Sequence, residues 1–155
     1  MLVMDAMTRD VISVKPDDTL ENLLDVLAKN NISGCPVVSR KNVVGVISQT
    51  DILKLIDVHS KIQTPESGLF PLILAAIRSE HYDRLKETLK DILNLKVKDF
   101  MSKTVVAINA DEDIYRAARL MNKNDINRLP VLDGKRLVGI IAREDIIKAL
   151  ERLEK

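Results

Sequence analysis

The chain has 155 residues, 46% hydrophobic and 30% charged, with a formal net charge of +1. This is the composition of a folded globular protein, without bulk attraction to nucleic acid or to an acidic membrane surface. A single cysteine excludes an internal disulfide framework, no apolar run is long enough to span a bilayer, and 3% aromatic content without Trp speaks against base-stacking recognition. The opening MLVMDAMTRD has no apolar core of a signal peptide, so we expect a cytoplasmic protein.

In chain order, Val11, Ile12 and Val14 predict a short strand. Pro16-Asp17-Asp18-Thr19 then opens a helix whose acids suit its positive end. Leu20, Leu23, Leu24 and Leu27 form its apolar stripe, and Asn30-Asn31 closes it. Pro36–Val38 and Val43–Ile47 predict two strands joined as a hairpin through Arg40-Lys41-Asn42. A second helix begins near Gln49 and carries Ile52, Leu53 and Ile56.

Residues 57–95 read as a helical insertion. Thr64-Pro65-Glu66 is a helix start, with Leu69, Leu72, Ile73, Ala76 and Ile77 at helical spacing. A second stretch carries Tyr82, Leu85, Leu89, Ile92 and Leu93, with charged residues on the wet side. Beyond it the first pattern returns. Val105, Val106 and Ile108 predict a strand, Asp111-Glu112-Asp113 opens a helix, and Ile114, Ala117, Ala118 and Met121 form its stripe. Strands follow at Leu129–Leu132 and Leu137–Ile141 around an Asp133-Gly134 turn, then a helix with Ile146, Ile147, Leu150 and Leu153.

The return is a true repeat. Residues 3–54 align without a gap on 97–148 at a constant offset of 94, with 17 of 52 pairs identical. The expected fold is therefore α/β: two β-α-β-β-α units related by a pseudo-twofold, over residues 1–56 and 96–155, separated by the insertion at 57–95. Each unit is small enough that a lone core is marginal, and a cleft between two such units suits a small ligand.

One constellation carries chemistry. In Gly45-Val46-Ile47-Ser48-Gln49-Thr50-Asp51 a buried strand ends, a hydroxyl follows, and an acid stands three residues later. Ser48-x-x-Asp51 is a helix-capping arrangement. It also fits a nucleotide, with phosphate on helix N–H groups and the ribose hydroxyls on the acid. Other candidates carry less. His59 and His81 have no clustered ligand partners, Cys35 sits in an apolar strand, Asp111–Asp113 are helix-start acids, and no phosphate-binding glycine loop occurs. We expect no enzyme, no metal and no catalytic cofactor.

The Met-Thr start, the strand and helix, Pro-Val-Val and Gly-Val-Ile-Ser-x-x-Asp-Ile together resemble the CBS domain. Two copies resemble a CBS pair, or Bateman module. The resemblance covers residues 1–56 and 96–150 and leaves 57–95 unexplained. It implies a regulatory sensor that binds an adenosine compound (AMP, ADP or ATP) in clefts between the repeats and signals by conformational change to an effector protein. It also implies a homodimer. Carried over by position, one cleft would use Asp51 for ribose, Ser48 and Thr50 for ribose or phosphate, and Ser33 and Gly34 as lining. Ser102, Val106 and Ile126 would wall its adenine. The other would use Asp145 for ribose and Arg128 for phosphate, with Asn127 and Arg143 assisting, Ala142 in place of the serine, and Thr8, Ile12 and Ile32 against the base. Arg128 is the better phosphate ligand because its planar fork holds two oxygens. Alternatives are an S-adenosylmethionine-type sensor, which needs no phosphate cation, and a structural dimerisation module with vacant clefts. Nucleic-acid binding is disfavoured by the charge balance, and no membrane partner is expected.

Overall fold

The computed structural model describes residues 1–55 and 82–153. The expected helix at 64–77, both histidines and the end of the first repeat lie outside these residues. The helices are α1 (Val3–Ala6), α2 (Leu20–Lys29), α3 (49–55), α4 (Tyr82–Leu93), α5 (Val97–Phe100), α6 (Ile114–Asn124) and α7 (Arg143–Leu153). The strands are β1 (Gly34–Ser39), β2 (Asn42–Ser48), β3 (Ile108–Asn109), β4 (Arg128–Asp133) and β5 (Arg136–Ala142), in the sheet order β1-β2-β5-β4-β3. The fold is α/β, and α4 confirms the second of the two helical stretches expected in the insertion.

Two compact units divide this chain, and neither is a contiguous repeat. One holds residues 1–13, 36–46 and 103–155; the other holds 14–35 and 47–102. Within the first unit, the opening segment docks on the second repeat. The Val3 N–H donates to the Glu112 carbonyl (2.8 Å), the Met4 N–H to Ala110 (3.0 Å), and the Ile114 N–H to Met1 (3.2 Å). Within the second unit the same bonds recur 94 residues along the chain. The Val97 N–H donates to Asp18 (2.8 Å), Lys98 to Pro16 (2.9 Å) and Leu20 to Leu95 (2.8 Å). Val3 and Val97 are both fully buried. Each short helix, α1 and α5, is thus a wedge whose first residue fills a core built by the other copy of the repeat.

The core of the first unit gathers Val3, Ile108, Ile114, Ala117, Met121, Leu129, Val131, Ile141, Ile146 and Ala149. In the second unit Val14, Leu20, Leu23, Leu27, Cys35, Ile47, Ile52 and Val97 are buried. The stripe of α2 is narrower than its spacing suggests: Leu24 is 39% exposed. Cys35 is a buried core residue, as its apolar strand suggests.

Local chemistry sets the element ends. Thr19 caps α2 by accepting from the Asn22 N–H (3.2 Å), and Asp113 caps α6 by accepting from Tyr115 (2.8 Å). Asn31 and Asp125, at equivalent positions, close these helices in the left-handed region at φ 50° and 52°; such residues tolerate it. The neighbouring acids serve turns more than the helix dipole. Asp18 accepts from the Lys15 N–H (2.7 Å), and Glu112 from Asn109 (3.2 Å).

The expected first strand of each repeat is largely absent. Val14 makes an isolated bridge, and the second copy keeps two residues, Ile108 and Asn109, parallel to β4. Pro16 follows Val14 closely, and the Pro16 carbonyl is taken by the docked Lys98 N–H.

Candidate functional site

Each repeat brings a carboxylate back onto the start of its own last helix. In the second unit, Ser48 ends β2, and both its N–H (2.9 Å) and its Oγ (3.0 Å) donate to Asp51 Oδ2. In the first unit, the Ala142 N–H donates to Asp145 Oδ2 (2.8 Å). This is the acidic half of the capping arrangement read from the sequence. The serine hydroxyl turns to the acid, so Asp51 Oδ2 accepts two bonds where Asp145 Oδ2 accepts one among the described residues.

A second bond fixes the loop beside each acid. The Gln49 N–H donates to the Ser33 carbonyl (2.9 Å), and the Arg143 N–H to Asn127 (3.1 Å). Ser33-Gly34 is thereby drawn to the start of α3, and Asn127-Arg128 to the start of α7. Arg128 also stands directly across the ladder from Ala142. The N–H groups of the strand's last residue and of the helix's first are therefore occupied in both copies.

The two copies differ where the strands meet. A Cβ on Gly34 would stand 2.5 Å from the Ile47 carbonyl oxygen and 3.0 Å from Ser48 Cα. No side chain fits at this position without moving backbone. Its counterpart Arg128 carries a full side chain opposite the small Ala142. The first copy pairs glycine with serine, and the second pairs arginine with alanine. Asp51, Asp145, Ser48 and Ala142 are half-buried, as are Ser33 and Arg128, whereas Thr50, Asn127 and Arg143 are exposed.

The unit division decides which expected wall residues join each acid. Thr8 lies in the first unit with Asp145. Its N–H donates to the Ile140 carbonyl and its carbonyl accepts from the Ile140 N–H, both at 2.9 Å, two residues before Ala142. Gly139 permits this approach, since a Cβ there would collide with Met7 Sδ and stand 3.1 Å from the Thr8 carbonyl. Ile12 belongs to the same unit, and Ile32 to the other. Ser102, the counterpart of Thr8, belongs with Asp51 in the second unit. Val106 and Ile126 belong to the first unit, where both pack against its core. Sequence reasoning missed the Ser33 and Asn127 carbonyls as anchors, because a backbone acceptor leaves no mark on residue type.

Two copies of a strand-helix-hairpin-helix unit, each with an acid folded onto its last helix, define a tandem α/β module. The sequence profile of the CBS domain matches residues 3–58 and 97–152. The chain belongs to the CBS-domain family, in the tandem form of a CBS pair. It is 36% identical over 157 residues to the uncharacterized protein MJ1426 of Methanocaldococcus jannaschii, covering 97% of this chain and 91% of that one. Its fold is similar to the crystal structure of CBSX2 in complex with AMP (TM-score 0.72, 23% identity, 99% of this chain and 98% of that one). It is also similar to the CBS domain pair of MJ0100 in complex with 5′-methylthioadenosine and S-adenosyl-L-methionine (TM-score 0.68, 24% identity, 100% and 98%). Among the described residues, no helix is long and apolar enough to cross a membrane.

Proposed function

We propose that this CBS pair is a non-catalytic regulatory module for an adenosine-type ligand, and that its two acids serve different members of that class. Asp145 receives the ribose of an AMP-like ligand, with Arg128 and Asn127 beside its phosphate and Thr8 and Ile12 toward the base. The observation that carries this reading is the convergence, in one compact unit, of Asp145 on the Ala142 N–H with the Asn127-Arg128 loop held by the Arg143 N–H. A carboxylate suits paired ribose hydroxyls, and a guanidinium suits phosphate.

Asp51 is bonded to Ser48, whose Cα lies against Gly34, so the position that carries Arg128 in the other copy offers no side chain here. That supports a second reading for this acid: a ligand without phosphate, such as adenosine or an S-adenosyl thioether. A CBS pair crystallised with such ligands supports the chemistry. The bound ligand favours one arrangement of the pair, and an effector protein reads it. We place the module in a homodimer and in the cytoplasm.

The experiment is calorimetric titration of ligand-stripped protein with AMP, ADP, ATP, adenosine and S-adenosylmethionine, repeated with Asp145→Ala and Arg128→Ala. Arg128→Ala is expected to weaken AMP by about tenfold or more, equivalent to roughly 1.4 kcal/mol, and to leave adenosine nearly unchanged. Equal losses for both ligands remove Arg128 from the phosphate role. No binding by any of the ligands makes a structural dimerisation module the better reading.

A further inference from the structure

The tips of two hairpins in the first unit hold cations that the ligand reading does not use. β1 and β2 are joined by two residues, Arg40 and Lys41, both in the left-handed region at φ 49° and 69°. A two-residue hairpin turn with both central residues at positive φ strongly favours Asn-Gly or a similar pair. Side chains with long stems pay a steric penalty there. The next hairpin turns through Gly134 (φ 62°) and Lys135, which obeys the usual preference, and is followed by Arg136. The two tips lie side by side: Asn42 pairs with Arg136, and the Leu137 N–H reaches the Lys41 carbonyl at 3.5 Å.

Arg40, Lys41, Lys135 and Arg136 are all exposed. Among the described residues, the ion pair at these tips is Arg136 with Asp133, at 3.8 Å, and Asp133 is itself exposed. The patch therefore carries a local excess of three positive charges, against +1 for the whole chain. Strained backbone that persists at an exposed turn points to a use for its side chains.

We propose that these paired hairpin tips dock an acidic segment of a partner protein. Four cations in two adjacent turns match a short run of carboxylates, with the two arginines able to hold one each by a two-point contact. Val44, 36% exposed and on the same strand face as Asn42, offers an aliphatic contact beside them. The patch has no aromatic residue on which a base could stack. It also lacks the bulky apolar residues that carry a surface into a membrane interface. An acidic polypeptide is the class that remains.

The test uses the whole protein and three probes: a short fluorescein-labelled Glu/Leu peptide, an oligouridine RNA of the same length, and phosphatidylserine vesicles. The peptide is expected to bind in a salt-sensitive manner. In the double variant Arg40→Asn/Lys41→Gly its affinity falls by about tenfold, while the melting temperature rises by a few degrees, because the turn now suits its backbone. Lys135→Glu/Arg136→Glu gives the same loss of binding. Unchanged peptide affinity in both variants overturns the proposal. So does failure of the unmodified protein to bind the peptide, or tighter binding to RNA or vesicles than to the peptide.

Discussion

The two wedges invite comparison. Residues 1–4 and 95–98 make the same three backbone hydrogen bonds, and Val3 and Val97 are equally buried. Their surfaces differ. In the second unit Asp17 bridges Lys98 at 2.8 Å and Lys96 at 3.5 Å. In the first, the corresponding positions are Asp111, Met4 and Leu2, and the N-terminal ammonium approaches Asp113 at 3.9 Å instead. Backbone and core are held constant through the repeat, and exposed charge drifts. That is the expected order of constraint, because burial is worth several times more than an exposed ion pair.

The comparison breaks most visibly in the cores. Val3→Ala and Val97→Ala should each cost about 2–3 kcal/mol, from lost burial plus a residual cavity. Denaturant unfolding would read similar losses for both. A large loss for one and none for the other would end the equivalence of the wedges.

The strand pairing separates the copies next. Gly34→Ala places a methyl group against the Ile47 carbonyl and should cost about 1–3 kcal/mol. Arg128→Gly, at the matching position, forces no atom against backbone and should cost less than Gly34→Ala, about 1 kcal/mol for a glycine inside a strand.

A smaller effect concerns the acids. Ser48→Ala removes one of two bonds to Asp51 Oδ2, and Ala142→Ser introduces the serine beside Asp145. Calorimetry with adenosine should read changes of a few-fold, in opposite directions for the two variants, about 1 kcal/mol or less. Changes in the same direction would mean that the serine does not compete with the ribose for its acid.

The smallest effect is electrostatic. The hydrogen bond from Lys98 and the charges of Lys98 and Lys96 hold the Asp17 carboxyl below its ordinary value. A lowered carboxyl stabilises the fold above about pH 4, and that contribution is lost as the pH falls through its folded value. Stability measured against pH should therefore fall slightly less steeply on the acid side in Asp17→Asn. Both lysine tips are well exposed, so added salt should shrink the difference.

Much of this was legible in the sequence. The 94-residue offset, the Leu20–Leu27 stripe, the Asp133-Gly134 turn and the Ser48-x-x-Asp51 spacing are local patterns, and local patterns write themselves into residue type. The exchange of wedges was not legible, because it is made by backbone groups that every residue possesses. The first strands are shorter than their residue types suggest: in Val11-Ile12-Ser13-Val14 only Val14 makes a bridge. Within the site, the acids and Arg128 were readable as residue types. The occupied N–H groups of Ser48, Gln49, Ala142 and Arg143 were not, since a carbonyl across a loop has no sequence signature.

The reciprocal wedges also govern how the chain reaches its fold. Residues 1–4 find their partners at 110–114, and Thr8 finds Ile140, so the first unit cannot close until nearly the whole chain is available. Such distant pairings slow folding. During synthesis the opening segment must wait, unpaired, until residues 110–114 and Ile140 have been made. Cutting the chain at its midpoint would not yield two half-sized domains, but two fragments each carrying the other's missing piece, able to fold only by finding one another.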